Sequence, residues 1–280
     1  MTTRSILITG CSSGIGLDAA RTLHTRGWQV IATCRADDDV ARLKGEGLTA
    51  LRLDYEDDAS IIQAVTDTLS ITDGRLDAVF NNGAYAVVGP LEDIPTAALR
   101  ANFEANFLGW HTLTRALIPV FRAQGAGRIV QCSSVLGFQA MRHRGSYNAT
   151  KFALEGYSDT LRLEMRGTGI HVVLIEPGPI RTEFRRNAVK QFEKWVDWEK
   201  SLLRSYYEDR LLAALRKSAE ATKPDPFELG PEAVTEKLIH AIEAPTPQSR
   251  YFVTRPTWIA AIAKRVLPVA AQDAIFGRIE

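Results

Sequence analysis

The 280-residue sequence contains only three cysteines and carries almost no net charge. An odd number of cysteines, with no paired spacing between Cys11, Cys34 and Cys132, argues against a disulfide framework. A formal net charge of +1 provides no basic surface of the kind that attracts nucleic acid, so we expect no nucleic-acid partner. The five histidines are scattered, and neither HExxH nor CxxC occurs, so we assign no metal.

Long apolar runs are also missing. No uninterrupted apolar stretch approaches the ~20 residues that a membrane-spanning helix needs, so we expect no transmembrane segment. The chain starts with Met1-Thr-Thr-Arg and then enters a strand-like run, without the charged, apolar and small-residue regions of a signal peptide. These absences predict a cytoplasmic protein in a reducing compartment.

The sequence does contain a regular alternation of short β-branched runs and amphipathic helical stretches. Strands that are apolar throughout, separated by helical patterns, are typical of βαβ units with a parallel sheet. We therefore predict an α/β fold: a Rossmann-type doubly wound parallel sheet of about seven strands, with helices on both faces, in a single domain of residues 1–280. The predicted strands are Ile6–Thr9, Trp28–Cys34, Leu48–Leu53, Leu76–Asn81, Arg128–Cys132, His171–Ile175 and Arg250–Val253. The clearest helical stretches are Leu17–Thr25, Ser60–Leu69 and Phe103–Arg122.

Two regions depart from this alternation. Residues 183–229 form an aromatic-rich helical insertion, which either covers an apolar pocket as a lid or simply packs as an ordinary helix. Four of its large side chains fall near helical spacing on one face: Phe192, Trp195, Leu202 and Tyr206. The C-terminal tail, residues 255–280, is mostly apolar. It could pack on the domain, form an oligomer contact or rest on a membrane surface, in that order of preference.

A glycine-rich turn joins the first predicted strand to the first predicted helix. Glycines allow a tight turn and let a phosphate approach the backbone, and the helix N-terminus that follows offers unpaired N–H groups and the positive end of its dipole. This context predicts binding of a dinucleotide pyrophosphate; a purely structural turn is the alternative. The turn residues assigned to this contact are Gly10, Ser12, Ser13, Gly14, Ile15 and Gly16.

Tyr147 and Lys151 are the strongest catalytic candidates. Residues four apart on a helix share one face, so the two side chains should stand side by side. A neighbouring ammonium favours the phenolate and should lower the pKa of the tyrosine toward neutral pH. The phenol could then exchange a proton with an alcohol or carbonyl oxygen. A solvated tyrosine–lysine pair is the alternative for this pattern taken alone.

Together these segments resemble the short-chain dehydrogenases/reductases, and the resemblance extends over residues 4–182. It is closest to the hydroxysteroid and retinol dehydrogenase branch, which carries similar T-G-C-S-S-G-I-G-L and K-F-A-L-E-G segments. Ser134 lies thirteen residues before Tyr147, which is the family spacing for the serine that hydrogen-bonds the substrate oxygen and favours it over Ser133. The catalytic residues that the resemblance implies are Asn106, Ser134, Tyr147 and Lys151. The asparagine is expected to hold a water that links the lysine to solvent.

The second predicted strand ends in Cys34-Arg35, where NAD-dependent enzymes place an acid on the ribose 2′-hydroxyl. Cys34 occupies the position of that acid, and the guanidinium of Arg35 matches a 2′-phosphate, so NADP(H) is the predicted cofactor. The acidic run Asp37–Asp39 either begins a solvated helix or weakens this preference. The resemblance implies a contact of Asp54 with the adenine amino group, and a helix cap is the alternative for this residue. Further cofactor contacts implied by the resemblance are Asn81, Gly83, Tyr147, Lys151, Pro177, Gly178, Ile180 and Thr182.

The resemblance implies an NADP(H)-dependent oxidoreductase that interconverts a secondary alcohol and a ketone, or an alcohol and an aldehyde. The aromatic-rich insertion favours a lipophilic substrate such as a steroid or retinoid. The alternatives are a reductase of polar or carrier-bound carbonyls, such as 3-oxoacyl thioesters, and a non-catalytic NADP-binding sensor. The segment Arg142–Arg144 either contacts an anionic substrate or belongs to a solvated loop. Family members are often dimers or tetramers, so we expect a homodimer or homotetramer.

Overall fold

A parallel β-sheet occupies the centre of the structure, a computed structural model that describes residues 3–220 and 226–277. Its strands are β1 Ser5–Ile8, β2 Gln29–Cys34, β3 Thr49–Arg52, β4 Ala78–Asn81, β5 Gly127–Cys132, β6 Ile170–Glu176 and β7 Arg250–Phe252. Within the described residues their order is β3-β2-β1-β4-β5-β6-β7, and every neighbouring pair is parallel. All seven predicted strands are confirmed, and no strand end differs from its predicted position by more than two residues.

The central strands β1 and β4 are buried along their whole length. They are apolar on both faces because helices cover both sides of a parallel sheet. The strand order reverses between β1 and β4, since the chain runs outward to β3 and then outward again from β4 to β7. Such a reversal point, at the carboxyl ends of the strands, is where open α/β sheets bind their ligands.

The helices form the outer layers. They are α1 Gly14–Thr25, α2 Asp37–Gly45, α3 Asp58–Ile71, α4 Thr96–Phe103, α5 Gly109–Gln124, α6 Gly145–Glu164, α7 Phe184–Trp195, α8 Arg204–Tyr206, α9 Leu212–Glu220, α10 Glu232–Glu243, α11 Arg255–Val266 and α12 Val269–Phe276. Helix α1 packs against α10, whereas α3 packs against α5, so the sheet is covered on both faces. The predicted Rossmann-type fold class is confirmed.

The stretch Phe103–Arg122, predicted as one helix, is interrupted. Helix α4 ends at Phe103, a π-helical turn covers Glu104–Leu108, and α5 begins at Gly109. A π-turn inserts one residue into a helical turn, which hydrophobic periodicity does not detect. Such turns are frequent at functional sites, and this one contains the predicted catalytic residue Asn106.

The predicted insertion at residues 183–229 is helical but broken into short segments. A turn that contains a short 3-10 segment separates α7 from α8, and a π-helical segment over Tyr207–Leu211 joins α8 to α9. Residues 221–225 lie outside the described part of the chain. Leu202 follows the end of α7 and is 99% exposed, so its predicted place on the apolar helix face is wrong. Helical spacing does not continue across the turn that breaks the helix.

Aromatic side chains of this insertion form a second apolar cluster, distinct from the core around the sheet. Phe192 and Tyr207 are buried in it, and Trp195 and Tyr206 pack against it half-buried. Tyr147 belongs to the same cluster. The insertion therefore packs directly over the predicted proton donor.

The C-terminal tail forms α11 and α12 as far as residue 277, and residues 278–280 lie outside the described range. The buried side of α11 is made of small residues: Thr257, Ala260, Ala261 and Ala263. Its large apolar side chains face outward, and four are more than half exposed: Trp258, Ile259, Ile262 and Val266. The tail thus packs on the rest of the fold and leaves an apolar face outside. Among residues 3–220 and 226–277, no helix combines the length and apolar character that crossing a membrane requires.

Candidate active site

Tyr147 and Lys151 lie one turn apart on α6, and both are buried. The Lys151 Nζ donates a 2.8 Å hydrogen bond to the carbonyl oxygen of Cys132. The same nitrogen lies 4.2 Å from the ring centroid of Trp110 and 5.6 Å from that of Tyr147. The two side chains are therefore neighbours, as their spacing predicts. The contact with Trp110 was not foreseen, because it joins two helices that are remote in sequence.

Burial changes the acid–base properties of this pair. Loss of water lowers the pKa of Lys151 to about 8, because the protein interior solvates the ammonium poorly. Burial also raises the pKa of the Tyr147 phenol, with Cys132 adding to the rise and a hydrogen bond with Ser134 opposing it. The sequence predicted a lowered phenol pKa, and this prediction is wrong because desolvation of the buried phenol is the largest influence on its pKa. The phenol is therefore protonated near neutral pH.

Ser134 lies just beyond the carboxyl end of β5, beside Tyr147. Its Oγ accepts a 3.1 Å hydrogen bond from the Leu136 N–H and lies 3.5 Å from the carbonyl oxygen of Pro177. Ser133, the adjacent candidate, turns its hydroxyl away and donates it to Glu155. Of the two serines, Ser134 is thus the one that shares the site with the tyrosine.

Asn106 is fully buried in the π-turn, and its side chain is occupied by backbone contacts. Its Oδ1 accepts a 3.0 Å hydrogen bond from the N–H of Tyr85, and its Nδ2 donates a 2.8 Å bond to the carbonyl oxygen of Tyr85. The Nδ2 also lies 3.3 Å from Thr150 Oγ1 on the catalytic helix. The side chain therefore ties the segment after β4 to α6.

The glycine-rich turn after β1 is a close-contact point between three segments. Gly10 and Gly14 have left-handed φ angles of 68° and 56°. A Cβ on Gly10 would lie 2.5 Å from the Cα of Gly83, and one on Gly14 would lie 2.9 Å from Cγ2 of Thr182. Only glycine satisfies both the backbone angle and the space at these positions. The turn therefore meets the segments that follow β4 and β6.

The other turn residues frame the start of α1. Ser12 is exposed, Ser13 and Ile15 are half-buried, and Gly16 is buried. A Cβ on Gly16 would meet the carbonyl oxygen of Gly10 at 2.3 Å. A cleft of about 350 Å³ opens beside the turn, with Ser13, Gly14 and Thr182 among its lining residues.

The loop of residues 177–182, which follows β6, is held at both ends. A Cβ on Gly178 would lie 2.1 Å from Oγ1 of Thr254. Ile180 pairs with Leu229 in an isolated parallel bridge. The Thr182 hydroxyl accepts a 3.3 Å hydrogen bond from the next segment, at the N–H of Phe184. The loop thus presents its backbone beside the glycine-rich turn.

Charged residues surround the end of β2. Arg35 is exposed, and Asp37–Asp39 form the first turn of α2, as the helix-start interpretation predicts. Asp39 pairs with Arg42 at 3.0 Å, and the Nη2 of Arg42 donates a 2.7 Å hydrogen bond to the carbonyl oxygen of Ser12. Arg42 therefore compensates Asp39 and supports the glycine-rich turn. This arrangement was not predicted, because it depends on how α2 packs against the glycine-rich turn.

Asp54 lies two residues beyond the end of β3 and caps none of the described helices. Its Oδ1 accepts a 3.1 Å hydrogen bond from the N–H of Glu56. The cap of α3 is Asp57, which accepts hydrogen bonds from the N–H groups of Ala59 and Ser60. The helix-cap alternative for Asp54 is therefore wrong.

Asn81 and Thr9 form a buried polar network under the turn. Asn81 Oδ1 lies 2.7 Å from the Tyr55 hydroxyl, and its Nδ2 donates a 3.1 Å bond to Oγ1 of Thr114. Thr9 Oγ1 lies 2.8 Å from the same tyrosine hydroxyl and accepts a 3.2 Å bond from the Gly83 N–H. The Asn81 side chain is thus engaged within the protein.

A buried ionic cluster lies on the far side of Lys151 from the tyrosine. Its members are Glu155 on α6 and Glu176 at the end of β6, which are buried, and Asp159 on α6 and Arg250 at the start of β7, which are half-buried. Arg250 pairs with all three carboxylates. Burial and the nearby Glu155 raise the pKa of Glu176. The raised pKa favours the protonated form of Glu176, which lessens its repulsion with Glu155.

The three cysteines are all free and buried. Burial raises the pKa of Cys34 and Cys132 to about 11, and it also raises that of Cys11. Because the thiolate is the reactive form, these side chains behave as small apolar groups.

Comparison with known proteins places this arrangement in a family. The family model for short chain dehydrogenases matches residues 4–193, so the chain belongs to the short-chain dehydrogenase family. The uncharacterized oxidoreductase YbbO of Escherichia coli strain K12 is 42% identical, over 97% of this chain and 93% of its own length. Human retinol dehydrogenase 8 is 33% identical, over 88% of this chain and 80% of its own length. A solved short-chain dehydrogenase structure from Streptomyces avermitilis matches with a TM-score of 0.78 and 26% identity, covering 98% of this chain and 95% of that one.

Proposed function

We propose that this short-chain dehydrogenase is an NADP(H)-dependent enzyme that interconverts a secondary alcohol and a ketone, or an alcohol and an aldehyde. The observation that carries the proposal is the meeting of Ser134, Tyr147 and Lys151 at the carboxyl end of β5. A buried, protonated phenol next to a serine hydroxyl is suited to hold a carbonyl oxygen and give it a proton. Asn106 completes the proposed catalytic set.

The residues around the turn fit a dinucleotide. The close approach at Gly10 and Gly14 leaves bare backbone at the N-terminus of α1, where a pyrophosphate would bind. The exposed guanidinium of Arg35 follows β2, where a 2′-phosphate would be recognised, and Arg42 pairs with Asp39. When bound, the nicotinamide supplies the hydride.

The protein's own groups supply positioning and the proton. Ser134 and Tyr147 hydrogen-bond the substrate oxygen, and the phenol donates its proton as the carbonyl is reduced. The Lys151 ammonium then stabilises the phenolate, and its pKa of about 8 allows proton exchange near neutral pH. The Asn106 side chain holds the segment after β4 against α6, because it bonds to Tyr85 and contacts Thr150. Alcohol oxidation uses the same groups in reverse.

The apolar cluster over the site supports a lipophilic substrate such as a steroid or retinoid. The ring of Phe184 lies 5.2 Å from that of Tyr147, centroid to centroid, at the start of α7. Segments that follow Thr182 can therefore cover a bound substrate as a lid. Burying apolar substrate surface contributes about 25 cal/mol per Å², so kcat/KM should rise with the hydrophobic area of the ketone.

We take residues 1–280 as one domain with the lid at residues 183–229, assembled as a homodimer or homotetramer in the cytoplasm. The outward apolar face of α11 offers a surface for assembly, and three free buried thiols suit a reducing compartment.

Tyr147→Phe tests the catalytic assignment. The variant should lose about 10²–10⁴-fold in kcat while its affinity for NADPH stays nearly unchanged, because only the hydroxyl is removed. NADPH oxidation with a panel of ketones and aldehydes measures kcat, and fluorescence titration measures cofactor affinity. Tyr157→Phe, which removes a hydroxyl elsewhere on α6, is the matched control.

Near-normal turnover by Tyr147→Phe would contradict the proposed role of the phenol. A native protein that binds NADPH tightly but reduces none of the panel would instead favour the sensor alternative. Preference for small polar carbonyls or carrier-bound thioesters would overturn the lipophilic assignment.

A further inference from the structure

Arg144 stands at the beginning of the catalytic helix, three residues before Tyr147. Side chains on a helix lean toward its N-terminus, so the tyrosine side chain leans toward the arginine. The positive charge of Arg185 acts on the Arg144 guanidinium, and Arg185 follows Phe184, whose ring lies 5.2 Å from that of Tyr147. The guanidinium therefore lies on the side of the proposed reaction centre where α7 begins.

The backbone that carries Arg144 is held in one conformation. His143 has a φ of 59°, a left-handed angle that is uncommon for a side chain other than glycine. Its carbonyl oxygen accepts a 2.9 Å hydrogen bond from the N–H of Gly89, and its Nε2 lies 2.9 Å from the hydroxyl of Tyr206 in the insertion. Such strain persists where surrounding contacts demand it, and it occurs often at ligand sites.

The charge of Arg144 is not balanced by the described protein. The side chain is partly buried, and its one described acceptor is the carbonyl oxygen of His143, at 3.5 Å. Among residues 3–220 and 226–277, no carboxylate forms an ion pair with it. Burial lowers the pKa of Arg144, and the positive charge of Arg185 lowers it further. A guanidinium in such a place is normally paired, because burying an unpaired charge is costly.

The acidic groups Glu228 and Asp93 are engaged with other partners. Glu228 pairs with Arg185 at 3.2 Å, and its side chain is only 4% exposed. Asp93 accepts 2.8 Å hydrogen bonds from the hydroxyls of Ser201 and Tyr207. The N-terminus of α6 adds the positive end of a 20-residue helix dipole to the same place. The local field therefore favours an anion.

We infer that Arg144 binds a negatively charged group, a carboxylate or a phosphate, at one end of an otherwise lipophilic carbonyl substrate. The apolar body of that substrate lies against Phe184 and the aromatic cluster, and the anionic end reaches the arginine. A planar guanidinium binds such groups with two parallel hydrogen bonds, which would also orient the carbonyl toward Tyr147. This inference rests on the proposed function, whose substrate class it narrows.

The test compares three matched series of long-chain ketones, which end in a carboxylate, a methyl ester or a phosphate monoester. Native protein should turn over one of the anionic series with a kcat/KM about 10- to 150-fold above that of the ester, the range for a charge-assisted hydrogen bond. The carboxylate and phosphate arms identify which group the site takes. In Arg144→Gln the anionic ketones should lose their higher kcat/KM because their KM rises. The kcat/KM for the methyl ester should stay unchanged.

Two further variants keep the result interpretable. Arg166→Gln removes an exposed arginine beyond the end of α6 and should leave the anionic preference intact, which controls for net charge. Arg144→Lys should retain part of the preference, because it keeps the charge and loses the planar fork. Thermal melting of each variant shows that it is folded.

Equal kcat/KM for acids and esters in the native protein would overturn the inference and leave the proposed function standing. An equal loss on acids and esters in Arg144→Gln would also overturn it, since the arginine would then serve the helix rather than the substrate. Failure of the native protein to reduce any ketone would instead contradict the proposed function itself.

Discussion

Arg35 is the residue on which the choice of cofactor should depend. It follows β2 with an exposed guanidinium, while Asp39 is already paired with Arg42. Charge-assisted hydrogen bonds contribute about 1.5–3 kcal/mol, so Arg35→Ala should weaken NADPH binding by roughly 10- to 150-fold and leave NADH binding nearly unchanged. Fluorescence titration with both cofactors measures this. Arg52→Ala, at the end of β3, is a control for loss of positive charge. Equal affinity of the native protein for NADH and NADPH would contradict the assignment.

Single residues also show what a sequence can and cannot reveal. The spacing of Tyr147 and Lys151 predicts their contact, because four residues make about one helical turn. Nothing in the sequence predicts that Trp110 lies under the lysine, since the two belong to different helices. The raised pKa of the phenol was missed for the same reason: burial is a property of the packed structure.

Helix α6 and strands β6 and β7 meet at the buried ionic cluster, and this junction should make stability depend on pH. Because the pKa of Glu176 is raised in the folded protein, its folding contribution is most favourable below its unfolded pKa near 4.5 and is lost as pH rises through the folded value. Glu176→Gln, which cannot ionise, should therefore lose less stability than the native protein between about pH 5 and pH 9. Urea unfolding at a series of pH values measures the free energy of unfolding.

Glu236→Gln removes an exposed carboxylate from α10 and is the matched control for this series. It should leave the shape of the pH profile unchanged. A Glu176→Gln profile parallel to that of the native protein would show that the carboxyl is ionised in the folded state, held by Arg250, and would contradict the prediction.

The sequence predicted every strand of the described sheet, whereas two breaks in the helices were missed. The seven strands follow from short apolar runs that only a doubly covered sheet can bury. The π-turn at Glu104–Leu108 was missed because one inserted residue barely alters the apolar pattern over twenty residues. The break after Trp195 was missed for a related reason, since Phe192 and Tyr207 pack together from segments whose connection the spacing does not encode.

In the molecule as a whole, functional candidates from distant parts of the sequence lie along one edge of the sheet. The glycine-rich turn, Ser134 and the loop of residues 177–182 follow β1, β5 and β6, whose carboxyl ends point the same way because the strands are parallel. The order of strands thus explains why motifs more than 100 residues apart in sequence form one site. Sequence order and parallel topology together predict that meeting, whereas the lid contacts and the environment of Arg144 needed the folded chain.

Because all three thiols are buried, their reactivity can report local opening of the structure. Cys11 lies in the glycine-rich turn, Cys34 ends β2, and Cys132 ends β5, where its carbonyl oxygen accepts a hydrogen bond from Lys151. An aromatic disulfide reagent can reach them only when the surrounding segments separate, so its reaction rate measures how often they do. NADPH should slow modification of Cys11 and Cys34 at least several-fold, since a ligand that binds the closed form opposes opening.

Mass spectrometry after timed exposure would identify which thiol reacts, and when. Immediate reaction of all three in the native protein would contradict their burial, whereas protection of Cys132 alone by NADPH would place the cofactor away from the glycine-rich turn. Because the three cysteines are native residues, opening of the segments around them can be followed without an added label. The reaction rates of the three thiols therefore report how often water reaches them in the folded protein.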